Sequence, residues 1–215
     1  MASVEPVSGR RGPVRPLLCL LAVFALGGSG PLFAGTFEKD FDALRSPQAV
    51  VDEHARKGFI EKAFPSDDPA AVSFVAQRLW QRPAAAASFE DAQALEMDSL
   101  VARGILAALP SAVQERLLEQ LPDDPFKKAR LLEAAQEFET ERAIEALVRS
   151  LDDTRDSGLP LTLSDGWSLR VCDIAYNTLA HKLRLSGLRA PLGVGMSIAS
   201  RDRWIVRLKE AMEKR

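Results

Sequence analysis

Few residues in this chain have chemistry to offer. There are two histidines, His54 and His181, and two cysteines, Cys19 and Cys172. His54 falls at the edge of an apolar helical face after Val51, a spacing that predicts a satisfied, half-buried ring. His181 falls near a helix C-terminus with Lys182 and Arg184, where the helix dipole favours a cation. Cys172 stands between the core positions Val171 and Ile174, the setting of a buried, inert thiol. Cys19 belongs to a leader segment, so no intramolecular disulfide and no cysteine-based zinc site is expected. Adjacent acids recur at Asp52-Glu53, Asp67-Asp68, Asp123-Asp124 and Asp152-Asp153. Neighbours along a helix do not share a face, and most of these pairs fall at helix ends, where they cap. None has the spacing of a calcium loop. H-E-x-x-H, G-x-S-x-G and phosphate-binding glycine motifs are absent. The expectation is a non-enzymatic chain with no cofactor and no metal.

One constellation is sharper. Lys182, Arg184, Arg189, Arg201, Arg203 and Arg207 cluster in sequence, opposed only by Asp202. Ser200 to Arg203 would also present the free N–H groups of a helix start. Arg184, Arg189, Arg201 and Arg203 are therefore the candidate site for an anion or an acidic partner segment.

The elements that must position these residues read as helices. Proline and capping residues mark one start after another: Ser46-Pro47, Asp68-Pro69, Ser88 with Asp91, Ser111, and Asp124-Pro125. Ser46-Pro47 opens a helix that Gly58 should stop. Apolar stripes accompany these starts, such as Met97, Leu100, Val101, Gly104 and Ala108, or Val113, Leu117, Leu118 and Leu121. Thr140 caps a helix with Ile144, Leu147, Val148 and Leu151 on one face. Ser168 caps a second, with Val171, Ile174, Ala175, Thr178 and Leu179, ending at Gly187. A last helix follows Ser200, with Trp204, Ile205, Leu208 and Met212 as its stripe. No segment alternates as a strand does, so no sheet is expected. Thr154–Gly166 and Gly187–Ala199 are the long connections, the second unusually apolar.

Residues 1–34 have the three-part pattern of a signal peptide: Arg10, Arg11 and Arg15, an apolar run from Leu17 to Leu26, then Gly27-Gly28-Ser29-Gly30-Pro31 and small residues at Ala34-Gly35. The expected location is periplasmic or extracellular; the alternative is a membrane anchor at residues 17–34. Residues 35–215 are long enough for one domain with its own core. The whole chain has a net charge of −2, which argues against nucleic-acid binding. Membrane contact is expected only through an uncleaved N-terminus.

The run Leu147, Leu151, Asp152, Asp153, Arg170, Val171, Ala175, Leu179 resembles a HEAT-type repeat across residues 141–186. The resemblance implies stacked antiparallel helix pairs. It also implies a polar ladder between the acid that closes the first helix and Arg170, across the inserted Thr154–Gly166. The fold class is thus all-α, either a HEAT-like helical-hairpin repeat or an irregular α-bundle. The expected role is a protein-interaction module with a protein partner; the alternative is an exported enzyme with a carboxylate site assembled by the fold. If the pairs are antiparallel, the two long connections begin at opposite ends of the 168–186 helix. An anion site would then form without Asp156 or Asp165.

Overall fold

The computed structural model describes residues 34–45, 53–63, 68–82, 88–160, 168–184, 187–188, 191–193 and 195–213. Residues 1–33, which hold nearly all of the expected 1–34 signal segment, lie outside these, as do the Ser46-Pro47 start, Asp165 and Arg189. Among the described residues the chain is nine helices and one two-stranded sheet. In order they are α1 (Ala34–Ala43), α2 (Glu53–Ala63), α3 (Pro69–Leu79), α4 (Phe89–Ala107), α5 (Ser111–Glu119), α6 (Pro125–Ala134) and α7 (Glu141–Ser150). The ribbon β1 (Asp156–Pro160) and β2 (Ser168–Arg170) follows, then α8 (Val171–Leu183) and α9 (Ile198–Glu213). No described helix is long and apolar enough to cross a membrane.

The local start signals act as their chemistry dictates. Asp68 accepts from the Ala70 N–H at 2.9 Å, with Pro69 behind it. Ser88 and Asp91 form a reciprocal capping box at 3.1 Å in both directions. Asp124 accepts from Lys127 N–H and Thr140 from Arg142 N–H. Gly58 does not end α2, which runs through it to Ala63. A glycine inside a helix costs only about 1 kcal/mol, too little to stop one. The α4 stripe is also rotated from expectation. Leu100 is exposed, and the buried face is Asp98, Val101, Ala102 and Ile105. Asp98 can occupy a core position because Arg45 binds it through Nε at 2.5 Å and Nη2 at 2.7 Å.

Two apolar clusters make the core. The first joins α1 to α5 with Leu131, Ala134, Ala143 and Ala146. The second joins Phe126, Ala129, Leu132, Leu147 and Leu151 to β1, α8 and α9. Helices α6 and α7 therefore contribute one face to each cluster and tie the clusters together.

The ribbon corrects the expectation of no sheet. β1 and β2 pair antiparallel, Leu159 opposite Leu169, with an irregularity between Asp156 and Leu159. Gly158 sits there at φ +66°, a conformation that glycine adopts without the Cβ penalty. Ser157 Oγ donates to the Leu169 carbonyl and accepts from Leu159 N–H. The ribbon also corrects the start of α8. Ser168 is a strand residue. The first α8 donors, Val171 and Cys172 N–H, reach the carbonyls of Arg155 at 3.0 Å and Asp153 at 2.9 Å.

At that junction Arg155 binds Asp153 at 2.8 Å and Asp123 at 3.0 Å, while Lys128 of α6 binds Asp153 at 2.8 Å. Hydrogen bonds from Arg155, then Lys128, hold the Asp153 carboxyl well below the usual carboxylate range against the opposing effect of burial. A depressed folded pKa gives stability that is present above the unfolded value, about pH 4, and is lost as pH falls. The urea midpoint should therefore fall between pH 5 and pH 2.5. It should fall less steeply in Asp153→Asn, with Asp91 and Asp124, also depressed, supplying the remaining slope. Parallel profiles for the two proteins would show that Asp153 carries no such coupling.

Candidate functional site

Three of the helices run in the same direction. Near its start α6 binds Asp153 through Lys128, and the Asp153 carbonyl receives the Cys172 N–H at the start of α8. Beyond the end of α6, the carbonyls of Gln136 and Phe138 accept from Lys182 near the end of α8. Helices α6 and α8 are thus parallel neighbours. Burial in this contact lowers the affinity of the Lys182 ammonium for its proton. On the other side of α6, Arg130 binds Glu96 of α4 at 2.8 Å. One turn further along α6, Glu133 faces Arg103 of α4, so these two also run in the same sense. Helices α5 and α7, which pack on each other, return the chain between them.

A cleft of about 400 Å³ opens across α4, α6 and α8. Ile174, Asn177, Thr178 and His181 enter it from α8, at the spacing that places four side chains on one helical face. Glu133 and Gln136 enter from α6 and Arg103 from α4; Leu169 of β2 and Pro191 line the remainder. Asn177 fixes the Pro191 segment by accepting from Leu192 N–H at 2.6 Å and donating to the Leu192 carbonyl at 3.0 Å. Glu133 is in ion-pair contact with Arg130 at 3.2 Å. Burial still pushes its carboxyl upward, partly offset by Arg130 and Arg103. No hydrogen bond or ion pair joins Arg103 to a described residue, and its guanidinium lines the cleft.

The four arginines expected to form an anion site are not gathered. Arg184 is exposed at the C-terminal end of α8, in left-handed conformation at φ 46°. Arg201 lies against the first turn of α8, where it is 2% exposed and bonded to the fully buried Asp173. At about 1.5 Å per residue, those two ends of α8 are about 16 Å apart. Arg203 is exposed on α9, and Arg189 lies outside the described residues. Arg201, expected in the anion site, is instead half of a buried ion pair with Asp173.

The ladder implied by the HEAT resemblance is rearranged in the same way. Asp153 is taken by Lys128 and Arg155, and Asp152 by Lys209 of α9 at 2.5 Å. Arg170 turns forward instead, to Asp173 at 3.0 Å and Asp202 of α9 at 2.6 Å. Arg155, only two residues from Asp153, takes that carboxylate instead. The connection after α8 also departs from expectation. It returns along α8, pinned at Asn177, and delivers α9 to the first turn of α8 rather than its far end. The ribbon residue Arg170 and the start of α9 therefore do meet. Asp156 is exposed and takes no part.

His54 is exposed on α2, not half-buried as its spacing suggested. Cys172 is a free buried thiol, pushed up to about 11 first by burial and then by the charge of Asp173. Among the described residues no group of three or more His, Cys, Asp or Glu side chains could hold a metal ion. The cleft residues Arg103, Glu133 and Asn177 escaped the sequence reading. The signal for part of the cleft was present in the polar positions 177, 178 and 181, which share one face of an otherwise buried helix. No protein-family model, curated protein or solved structure matches the chain.

Proposed function

We propose that this chain is an exported, non-enzymatic protein-interaction module built from stacked HEAT-like helix pairs, with α7 and α8 as the pair that carries the resemblance. The observation that carries the reading is the shared face of α4, α6 and α8. Three successive parallel helices lay polar side chains into one cleft, and stacked helix pairs use such faces to hold partner segments. Export follows from the pattern of residues 1–34. The intact mass of protein recovered from outside the cytoplasm should lack Arg10, Arg11 and Arg15; a mass that includes Met1 would instead support the anchor at residues 17–34.

Binding is tested by a photocrosslinking residue placed in the cleft at His181 and, as control, at Arg149, which is exposed on α7. A discrete protein adduct is expected from position 181 and none from 149. Equal labelling, or none at 181, would remove the interaction reading.

One observation favours the enzyme reading. Glu133, with its carboxyl raised by burial beside Arg103, has the setting of a general acid. The two readings part on Glu133→Gln, which stops turnover in a carboxylate enzyme and leaves crosslinking at position 181 intact in a binder.

A further inference from the structure

The cleft is not balanced as an ordinary surface network is. Among the described residues Glu133 is the single acid that lines it, and Arg130 already holds that carboxylate at 3.2 Å. Arg130 divides itself between Glu133 and Glu96, which is half exposed to water. Arg103 faces this pair with no described residue bonded to its guanidinium donors, and a planar guanidinium matches a carboxylate through two parallel N–H bonds. Nearby, the His181 ring offers an N–H donor in either protonation state, and the Gln136 amide offers one beside the N–H it donates to Glu137 Oε1. Leu169, Ile174 and Pro191 give the same cleft an apolar end that suits an aliphatic stem.

We propose that the cleft across α4, α6 and α8 binds the free C-terminal carboxylate of a partner peptide, with Arg103 as its counter-ion and His181 and Gln136 as further donors. The apolar end takes the aliphatic side chain of the last residue. This rests on the interaction reading and names the chemistry of the segment bound. Glu133 lies in the same cleft, its carboxyl pushed upward by burial and held down by Arg130 and Arg103. The charged and titratable groups facing it are Arg130 on its own helix, Arg103 and Glu96 on α4, and His181 on α8.

The test is calorimetric titration of the purified protein with N-acetyl-Ala-Ala-Leu ending in a free carboxylate, against the same peptide ending in an amide. The acid should bind at least ten times more tightly than the amide. Arg103→Gln should remove most of that preference, and Arg149→Gln should leave it. Butyrate alone should bind far more weakly than the peptide acid. Equal binding of acid and amide would overturn the proposal, as would a preference that survives Arg103→Gln. Butyrate as tight as the peptide acid would overturn the peptide source and assign the site to free small acids. If crosslinking at position 181 still yields a protein adduct while the peptide acid shows no preference, this inference fails and the interaction reading stands. If the crosslink fails as well, both fall.

Discussion

Asp173→Ala is expected to lower the unfolding free energy by about 3–5 kcal/mol, the usual cost of stranding one half of a buried ion pair. Asp173 is fully buried and accepts from Arg201 Nη1, from the Arg170 side chain at 3.0 and 3.2 Å, and from the Arg170 N–H at 3.0 Å. Its oxygens are well supplied. Arg201 is not, because its Nε is buried without a partner. Removing the acid leaves a cation that is 2% exposed, with no other described acid bonded to it. Arg170 would keep Asp202, which is half exposed, and lose its anchor to the start of α8. The double change Asp173→Leu with Arg201→Met should recover most of the loss, since a well-packed apolar pair replaces a buried ion pair at little cost. Urea unfolding of the three proteins checks this. A loss below about 1 kcal/mol in Asp173→Ala, far short of that range, would mean that Arg201 reaches water once released. A double variant no better than the single one would mean that the pair contributes more than its mutual attraction.

The same pair shows where the sequence was legible and where it was not. Caps are local: Asp68-Pro69, Ser88 with Asp91, Asp124-Pro125 and Thr140 each act within three residues, so their roles follow from spacing alone. The side on which a charged residue falls is decided by contacts far away in sequence. Arg201 lies four and seven residues before Ile205 and Leu208, on the stripe that both residues bury. Extending that stripe back would have found it, but an arginine at a helix start is ordinarily solvated. Asp98 was missed for the same reason, since its partner Arg45 is 53 residues away. The β1–β2 ribbon depends on pairing across twelve residues and on Gly158, within a segment whose Asp, Ser, Gly and Pro favour a plain loop. The cleft needs three helices at once. The stripe of α8 foretold its buried face, yet nothing in α8 indicates that Arg103, about seventy residues earlier, stands opposite His181.

Leu147→Ala should cost about 2–5 kcal/mol, the range for a leucine deleted from a packed core. Leu147 is fully buried and belongs to the second cluster with Leu132, Leu151 and Ala175. An adjoining face of the same short helix sends Ala143 and Ala146 into the first cluster. Helix α7 is therefore held by both clusters and has little freedom to shift into the cavity, which argues for the upper half of the range. Ile144 and Val148 are only half-buried on the second cluster, so Ile144→Ala should cost clearly less than Leu147→Ala. Because α6 and α7 supply both clusters, the loss should displace one cooperative transition, with fluorescence and far-UV circular dichroism giving the same urea midpoint. Two separated transitions in Leu147→Ala would show that the clusters unfold independently. A change below about 0.5 kcal/mol, typical of surface positions, would place Leu147 outside the packed face and with it the seam that joins the two halves of the core.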